Sequence, residues 1–160
     1  MIKEIDKKDI AECVKVIKAS FSTVADELGF TAKNAPRFTA FATSEERLEW
    51  HLNKEHRLMY GFYENDCIIG YYSLLLQANN ECELNNLCVI PEYRHKKIGE
   101  ELLKNACEVA KDFNCKKMNI GIVEENQVLR KWYEKFGFIH TGTQKFDFFP
   151  FTCGYMQKQL

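Results

Sequence analysis

The sequence predicts an α/β fold of the α+β type, with a mixed, mostly antiparallel central sheet of about six to seven strands and helices on both faces. Three observations point there. Three strand-like runs between residues 58 and 90 follow one another at hairpin spacing. From Lys97 the apolar period changes from two to that of a helix. The second half then alternates helices with strands, which requires at least one right-handed crossover joining parallel neighbours.

Along the chain, "MIKEI" reads as a short strand, and Asp6 with Asp9 three residues on reads as a helix start. Ile10, Val14, Ile17 and Phe21 then recur at i, i+4, i+7 and i+11, the stripe of a helix with one buried face. Gly29 and Pro36 interrupt the next segment, and Thr43 with Glu46 forms a capping-box pattern for a helix running to about His56. "RLMYGFYEN", "CIIGYYSLLLQ" and "ECELNNLCVIP" form an antiparallel meander, turned at Asn65-Asp66 and at "ANN". Ile98, Leu102, Ala106 and Val109 share one helix face, "CKKMNIGIVE" is a strand, Asn126 to Phe136 a helix, and two last strands lie around Gly142 and in "FTCGYMQKQL".

At 160 residues the chain is expected to form one domain, residues 1–160. Its 22 basic and 23 acidic side chains give a net charge of −1, which disfavours a non-specific nucleic-acid binder and makes any anion site local. Seven scattered cysteines, with no C-x-x-C pair and no ligand spacing among four histidines, read as reduced core thiols and not as a metal site. The segment after Met1 is charged and amphipathic, and no apolar run reaches the roughly 18 residues of a membrane span, so a cytoplasmic protein with no membrane partner is expected.

Chemistry concentrates in "PEYRHKKIGEELL", residues 91 to 103, where a strand hands over to a helix. The first N–H groups of a helix lack intrahelical partners and the peptide dipole adds positive charge, so a phosphate fits there. Pro91 ends the strand, Arg94, His95, Lys96 and Lys97 surround the helix start, and Gly99 leaves room for close approach. A solvated basic patch in front of an amphipathic helix is the alternative reading of the same residues.

These residues resemble the GNAT superfamily of N-acetyltransferases. Leu87-Cys88-Val89-Ile90-Pro91 is similar to the family's L-x-V-x-P strand, and Arg94 to Gly99 to its Q/R-x-x-G-x-G/A pyrophosphate loop. "ENQVLRKWYEKFGF" looks like the second cofactor element, an Asn before a helix whose Tyr lies four residues ahead of Gly-Phe. The resemblance implies the GNAT acyltransferase fold and acetyl-CoA as co-substrate, held where strands 82–90 and 116–123 splay apart. Leu87 and Val89 would meet the pantetheine, Asn126 would reach its arm, and the N–H groups of Lys96, Lys97, Ile98, Gly99 and Glu100 would hold the pyrophosphate beside His95, with Arg94 adding charge. For Asn126 a plain N-cap is the alternative and is compatible with both roles. Lys97 departs from the motif, standing where the family has its first glycine; it is expected in helical φ/ψ with its N–H still donated to phosphate.

Transfer from a thioester to an amine needs a base, because an alkylamine is mostly ammonium at neutral pH, and an acid for the leaving thiolate. The resemblance makes Tyr133 the acid; packing beside Trp132 and Phe136 is its alternative. Glu83, which strict strand alternation places on one face with Asn85, Leu87 and Val89, is the candidate base, against a salt bridge or a plain surface carboxylate. Phe21, Phe30, Phe146, Phe148, Phe149, Phe151 and Tyr155 would line an apolar acceptor cleft, form a homodimer surface or simply pack. A small primary amine with an apolar portion is the expected acceptor; a protein-modifying enzyme and a non-catalytic acyl-CoA-binding module are the rivals.

Overall fold

The computed structural model describes residues 1–160. The chain runs β1 (Ile2–Glu4), α1 (Ile10–Leu28), α2 (Thr39–Ala42), α3 (Glu45–Asn53), β2 (Leu58–Glu64), β3 (Cys67–Gln77), β4 (Glu81–Val89), α4 (Ile98–Asp112), β5 (Lys117–Val123), α5 (Gln127–Lys135), β6 (Ile139–Lys145) and β7 (Thr152–Gln159). All seven strands join one sheet in the order β1-β2-β3-β4-β5-β7-β6. Only β4 and β5 are parallel; they are joined through α4, the expected crossover. No helix is long and apolar enough to cross a membrane.

Two apolar layers flank the sheet. On one face α4 buries Ile98, Leu102, Leu103, Ala106 and Ala110 against Tyr72, Leu74, Cys82, Leu84 and Met118. Full burial of a side chain such as Leu102 contributes about 1.5–3 kcal/mol. On the other face α1 and α3 bring Ile10, Cys13, Val16, Ile17 and Leu48 onto Ile68, Tyr71 and Cys88. Gly29, with φ 74°, ends α1 in the left-handed conformation that a residue with a Cβ adopts at a cost.

Several local expectations are corrected. The buried face of α1 runs through Cys13, Val16 and Ser20 as well as Ile10 and Ile17, while Val14 and Phe21 are only half-buried. The one-turn α2 had no sequence signal, and its last turn consumes the Thr43 hydroxyl, which donates to the Thr39 carbonyl at 2.7 Å. The cap of α3 is therefore Ser44, whose Oγ accepts from the Arg47 N–H at 3.1 Å. Cys67 is exposed at the start of β3, unlike the buried Cys13, Cys82, Cys88 and Cys115.

Candidate active site

β4 leaves its parallel neighbour early. The β4–β5 ladder covers only Glu81 to Glu83 against Lys117 to Asn119, whereas β5 stays paired with β7 through Val123. From Leu84 onward the β4 edge is unpaired on that side, and a cleft of about 710 Å³ opens beside it. Leu87, Cys88 and Val89 form one wall; α1 contributes Ser20, Phe21, Thr23, Val24 and Glu27, and α5 contributes Leu129, Trp132 and Tyr133. The loop from Tyr93 to Glu100 and the Asn126 side complete the lining, with Lys96 left outside it.

The strand does not alternate strictly. Asn86, at φ 55°, carries a bulge: β3 pairs Tyr71 with Cys88 but Ser73 with Asn85, so an extra residue sits on β4. Before the bulge Cys82 and Leu84 pack on the α4 side; after it Cys88 packs on the α1 side while Leu87 and Val89 lie against the α4 layer. Glu83 therefore does not share a face with Leu87 and Val89, contrary to strict alternation. It stands half-buried on the opposite side, with the Gln77 Nε2 at 3.5 Å from its Oε2, and does not line the cleft.

The loop is built on left-handed backbone. His95 has φ 63° and Lys97 φ 64°, ψ 12°, so the helical conformation expected for Lys97 is wrong. A lysine there is strained by about 1–2 kcal/mol, which explains in this chain why a glycine suits the position. The α-helix begins only at Ile98, with Lys97 as an N-cap that offers no side-chain bond. The N–H groups from His95 to Glu100 find no acceptor within the protein. Successive free N–H groups in such a turn form an anion-binding concavity, reinforced here by the N-terminus of a 15-residue helix. Gly99 needs no unusual dihedral; a Cβ there would meet only the Trp132 ring at 3.6 Å and the Val89 side chain at 3.9 Å, and would fill cleft space.

Arg94 departs most from expectation. Its guanidinium turns away from the loop: Nε donates to the Val89 carbonyl at 3.2 Å, Nη1 to the Thr23 hydroxyl at 2.9 Å and Nη2 to the Ser20 carbonyl at 2.8 Å. These neutral partners leave its charge in place but hold the group on α1 and the end of β4. Lys96 places its ammonium 5.0 Å from the Tyr93 ring centre. Glu100 pairs with Lys104 at 3.0 Å, leaving its N–H as its contribution to the cleft. Asn126 accepts the Leu129 N–H on Oδ1 at 3.2 Å, the N-cap role, which leaves its amide NH₂ to donate.

Tyr133 is buried on α5, packed edge-on against Trp132 and Phe138, and its ring reaches the cleft. Burial, with a smaller contribution from nearby Cys88, pushes its phenol well above the ordinary tyrosine range. Burial likewise pushes the Cys88 thiol up to about 12. The phenol is a proton donor at any physiological pH. Of the aromatics expected around an acceptor, Phe30 and Phe151 are buried in a separate cluster with Phe38, Phe21 lines the cleft, and Phe148 and Tyr155 are exposed. Thr23 and Trp132 line the cleft without having been foreseen there; hydroxyls at Ser20, Ser22 and Thr23 inside a helix were the available signal for the first.

A mixed sheet splayed between its parallel strands, with a free-N–H turn at the mouth of the opening, defines the N-acyltransferase fold. The chain belongs to the Acetyltransferase (GNAT) family, whose profile matches residues 26–138. It is similar to the spermidine N(1)-acetyltransferase of Thermoplasma acidophilum, 34% identical over 91 residues, 57% of this chain and 56% of the relative. It is also similar to the putative [ribosomal protein bS18]-alanine N-acetyltransferase of Bacillus subtilis, 26% identical over 82 residues, 51% and 54% of the two chains. The match thus spans about half the length of these two relatives. The fold is shared with the crystal structure of the paia N-acetyltransferase from Thermoplasma acidophilum in complex with coenzyme A, at TM-score 0.86 and 23% identity, covering 100% of this chain and 98% of that one.

Proposed function

We propose that this protein is an acetyl-CoA-dependent N-acetyltransferase that moves the acetyl group directly to a primary amine of a small molecule through a tetrahedral intermediate. The observation that supports it most is the opening of β4 from β5 beside the unbonded N–H groups of residues 95 to 100. Those groups fit a pyrophosphate, and the apolar walls of Leu87 and Val89 fit a pantetheine arm whose amides pair with the free β4 edge. Val89 keeps its N–H for that pairing while its carbonyl also accepts from Arg94. The amide NH₂ of Asn126 donates toward the same arm, and an N–H near Leu87 receives the developing oxyanion.

Tyr133 protonates the leaving thiolate. Its buried phenol holds its proton, so it supplies the acid form across neutral pH. Glu83, across the strand plane from Leu87 and Val89, takes the proton of the incoming ammonium directly or through a water. Donor and acceptor thereby approach β4 from opposite sides. The acceptor side is floored by Glu83, Asn85, Asn119 and Tyr155, with the neighbouring Glu81 already paired to Lys117, which suits a monoamine with an apolar portion better than a polyamine.

A peptide amine is the second reading. It is favoured by the exposed Phe148 and Tyr155 on the acceptor side and by the ribosomal-protein relative. The test is thiol release from acetyl-CoA over a panel of alkylamines, amino acids, spermidine and N-terminal peptides. Turnover confined to small amines supports the first reading, turnover confined to peptides the second, and no turnover with coenzyme A still bound would make the protein a non-catalytic acyl-CoA-binding module.

A further inference from the structure

Arg94 sits at the only joint where the loop, the end of β4 and helix α1 meet through one side chain. Its partners lie 71 and 74 residues away in sequence, at Thr23 and Ser20, and five residues away at Val89. The Ser20 carbonyl is also bonded by the Thr23 hydroxyl at 2.9 Å, and Ser20 itself is buried. In the same stretch the Ser20 hydroxyl donates to the Val16 carbonyl and the Ser22 hydroxyl to the Lys18 carbonyl. Hydroxyls bonding back along a helix slightly weaken its ladder, so the last turns of α1 lean more on contacts from outside the helix.

That segment carries Val24 and Glu27 into the cleft and Ala25 into the aromatic cluster of Phe30, Phe38 and Phe151. The cluster ties α1 to the loop before β7, the acceptor side of the molecule. On the other side of Arg94 the next residue, His95, begins the left-handed turn with the unbonded N–H groups. A phosphate that draws those N–H groups together acts on the backbone of the residue that holds α1.

We propose that Arg94 is a positioning residue, a latch that couples anion binding at residues 95–100 to the pose of the α1 end and hence to the acceptor side. Coenzyme A orders both ends of the latch, and by reciprocity an acceptor that fixes α1 strengthens coenzyme A binding by the same factor. The charge of Arg94 is secondary to its fork of donors. A glutamine, which donates through an amide and carries no charge, preserves much of the function, whereas a lysine, with charge but no fork, does not. The proposal rests on the acyl-CoA reading of the cleft.

Hydrogen–deuterium exchange with and without saturating coenzyme A tests it, in the unmodified protein and in Arg94→Ala, Arg94→Gln, Arg94→Lys and Thr23→Val. In the unmodified protein, coenzyme A is expected to slow exchange in residues 93–101 and also, by about 5-fold or more, in residues 20–42, the lower end of a typical coupling. In Arg94→Ala and Arg94→Lys the first effect persists and the second is lost; Arg94→Gln restores it. Thr23→Val, which removes one acceptor without touching the loop, weakens the second effect and serves if Arg94→Ala does not fold. Equal protection of residues 20–42 in Arg94→Ala and the unmodified protein overturns the latch. So does a loss of coenzyme A affinity shared by Arg94→Ala and Arg94→Gln but not Thr23→Val, which assigns Arg94 to the phosphate. Failure of the unmodified protein to bind coenzyme A overturns the acyl-CoA reading, and the latch with it.

Discussion

The two halves of the cleft are built by different means. The half formed by β4, the loop and α5 is made mostly of backbone: an unpaired strand edge, a run of free N–H groups and a helix start. The other half, on the side proposed for the acceptor, rests on side chains packed behind the cleft, chiefly Phe30, Phe38 and Phe151, tilted and edge-packed at 4.9 to 5.8 Å between ring centres. Backbone donors recognise what every acyl-CoA shares. If the packed side chains of the other half set the choice of acceptor, as proposed, substitutions should separate the halves.

The largest effect is expected for Tyr133→Phe, which should lower kcat by about 10²–10⁴-fold with coenzyme A affinity nearly unchanged. Steady-state rates and calorimetric titration of coenzyme A check it; an unchanged kcat removes Tyr133 as the acid. Because burial raises its pKa, the phenol loses its proton only above the ordinary range near 10, so the kcat profile of the unmodified enzyme should show no loss of rate from this group below that pH. Phe151→Ala should destabilise the fold by about 3–5 kcal/mol in urea melts and raise the acceptor KM while sparing that for acetyl-CoA. An equal rise in both KM values would break the division between the halves.

Glu83→Gln should reduce kcat by about 10²-fold, the lower end for a general base, and the deficit should shrink at high pH as free amine becomes available without help. A deficit independent of pH would leave Glu83 a surface carboxylate. The smallest effect is expected for Lys97→Gly, which trades left-handed strain of about 1–2 kcal/mol for glycine's entropy and so stabilises by about 0.5–1 kcal/mol in the same melts. Coenzyme A affinity should change less than tenfold, since the N–H groups remain.

The contrast also explains what was legible in the sequence. The meander, the crossover and the helix starting at Ile98 follow from local periodicity, and the Asn126, Tyr133 and Gly137 spacing lies within one helix and its caps. The direction of Arg94 was hidden because its partners on α1 are more than seventy residues away, and no local pattern distinguishes a guanidinium facing a phosphate from one facing a helix. Lys97 misled because a side chain with a Cβ usually avoids positive φ, and here the loop closure overrides that preference. Asn85-Asn86 in the middle of β4 was the available warning of the bulge, since asparagine tolerates the left-handed region better than most residues.

That bulge makes the backbone conformation of one residue decide which side the strand shows. A β-branched residue in place of Asn86, which avoids positive φ, would favour plain alternation over the same nine residues and turn Leu87 and Val89 to the side now held by Glu83. Carboxylate and cofactor wall would then crowd one surface, and that same surface would lose its Cys88 packing against Tyr71. The left-handed conformation at Asn86 is therefore as constrained as the identity of any side chain on the strand.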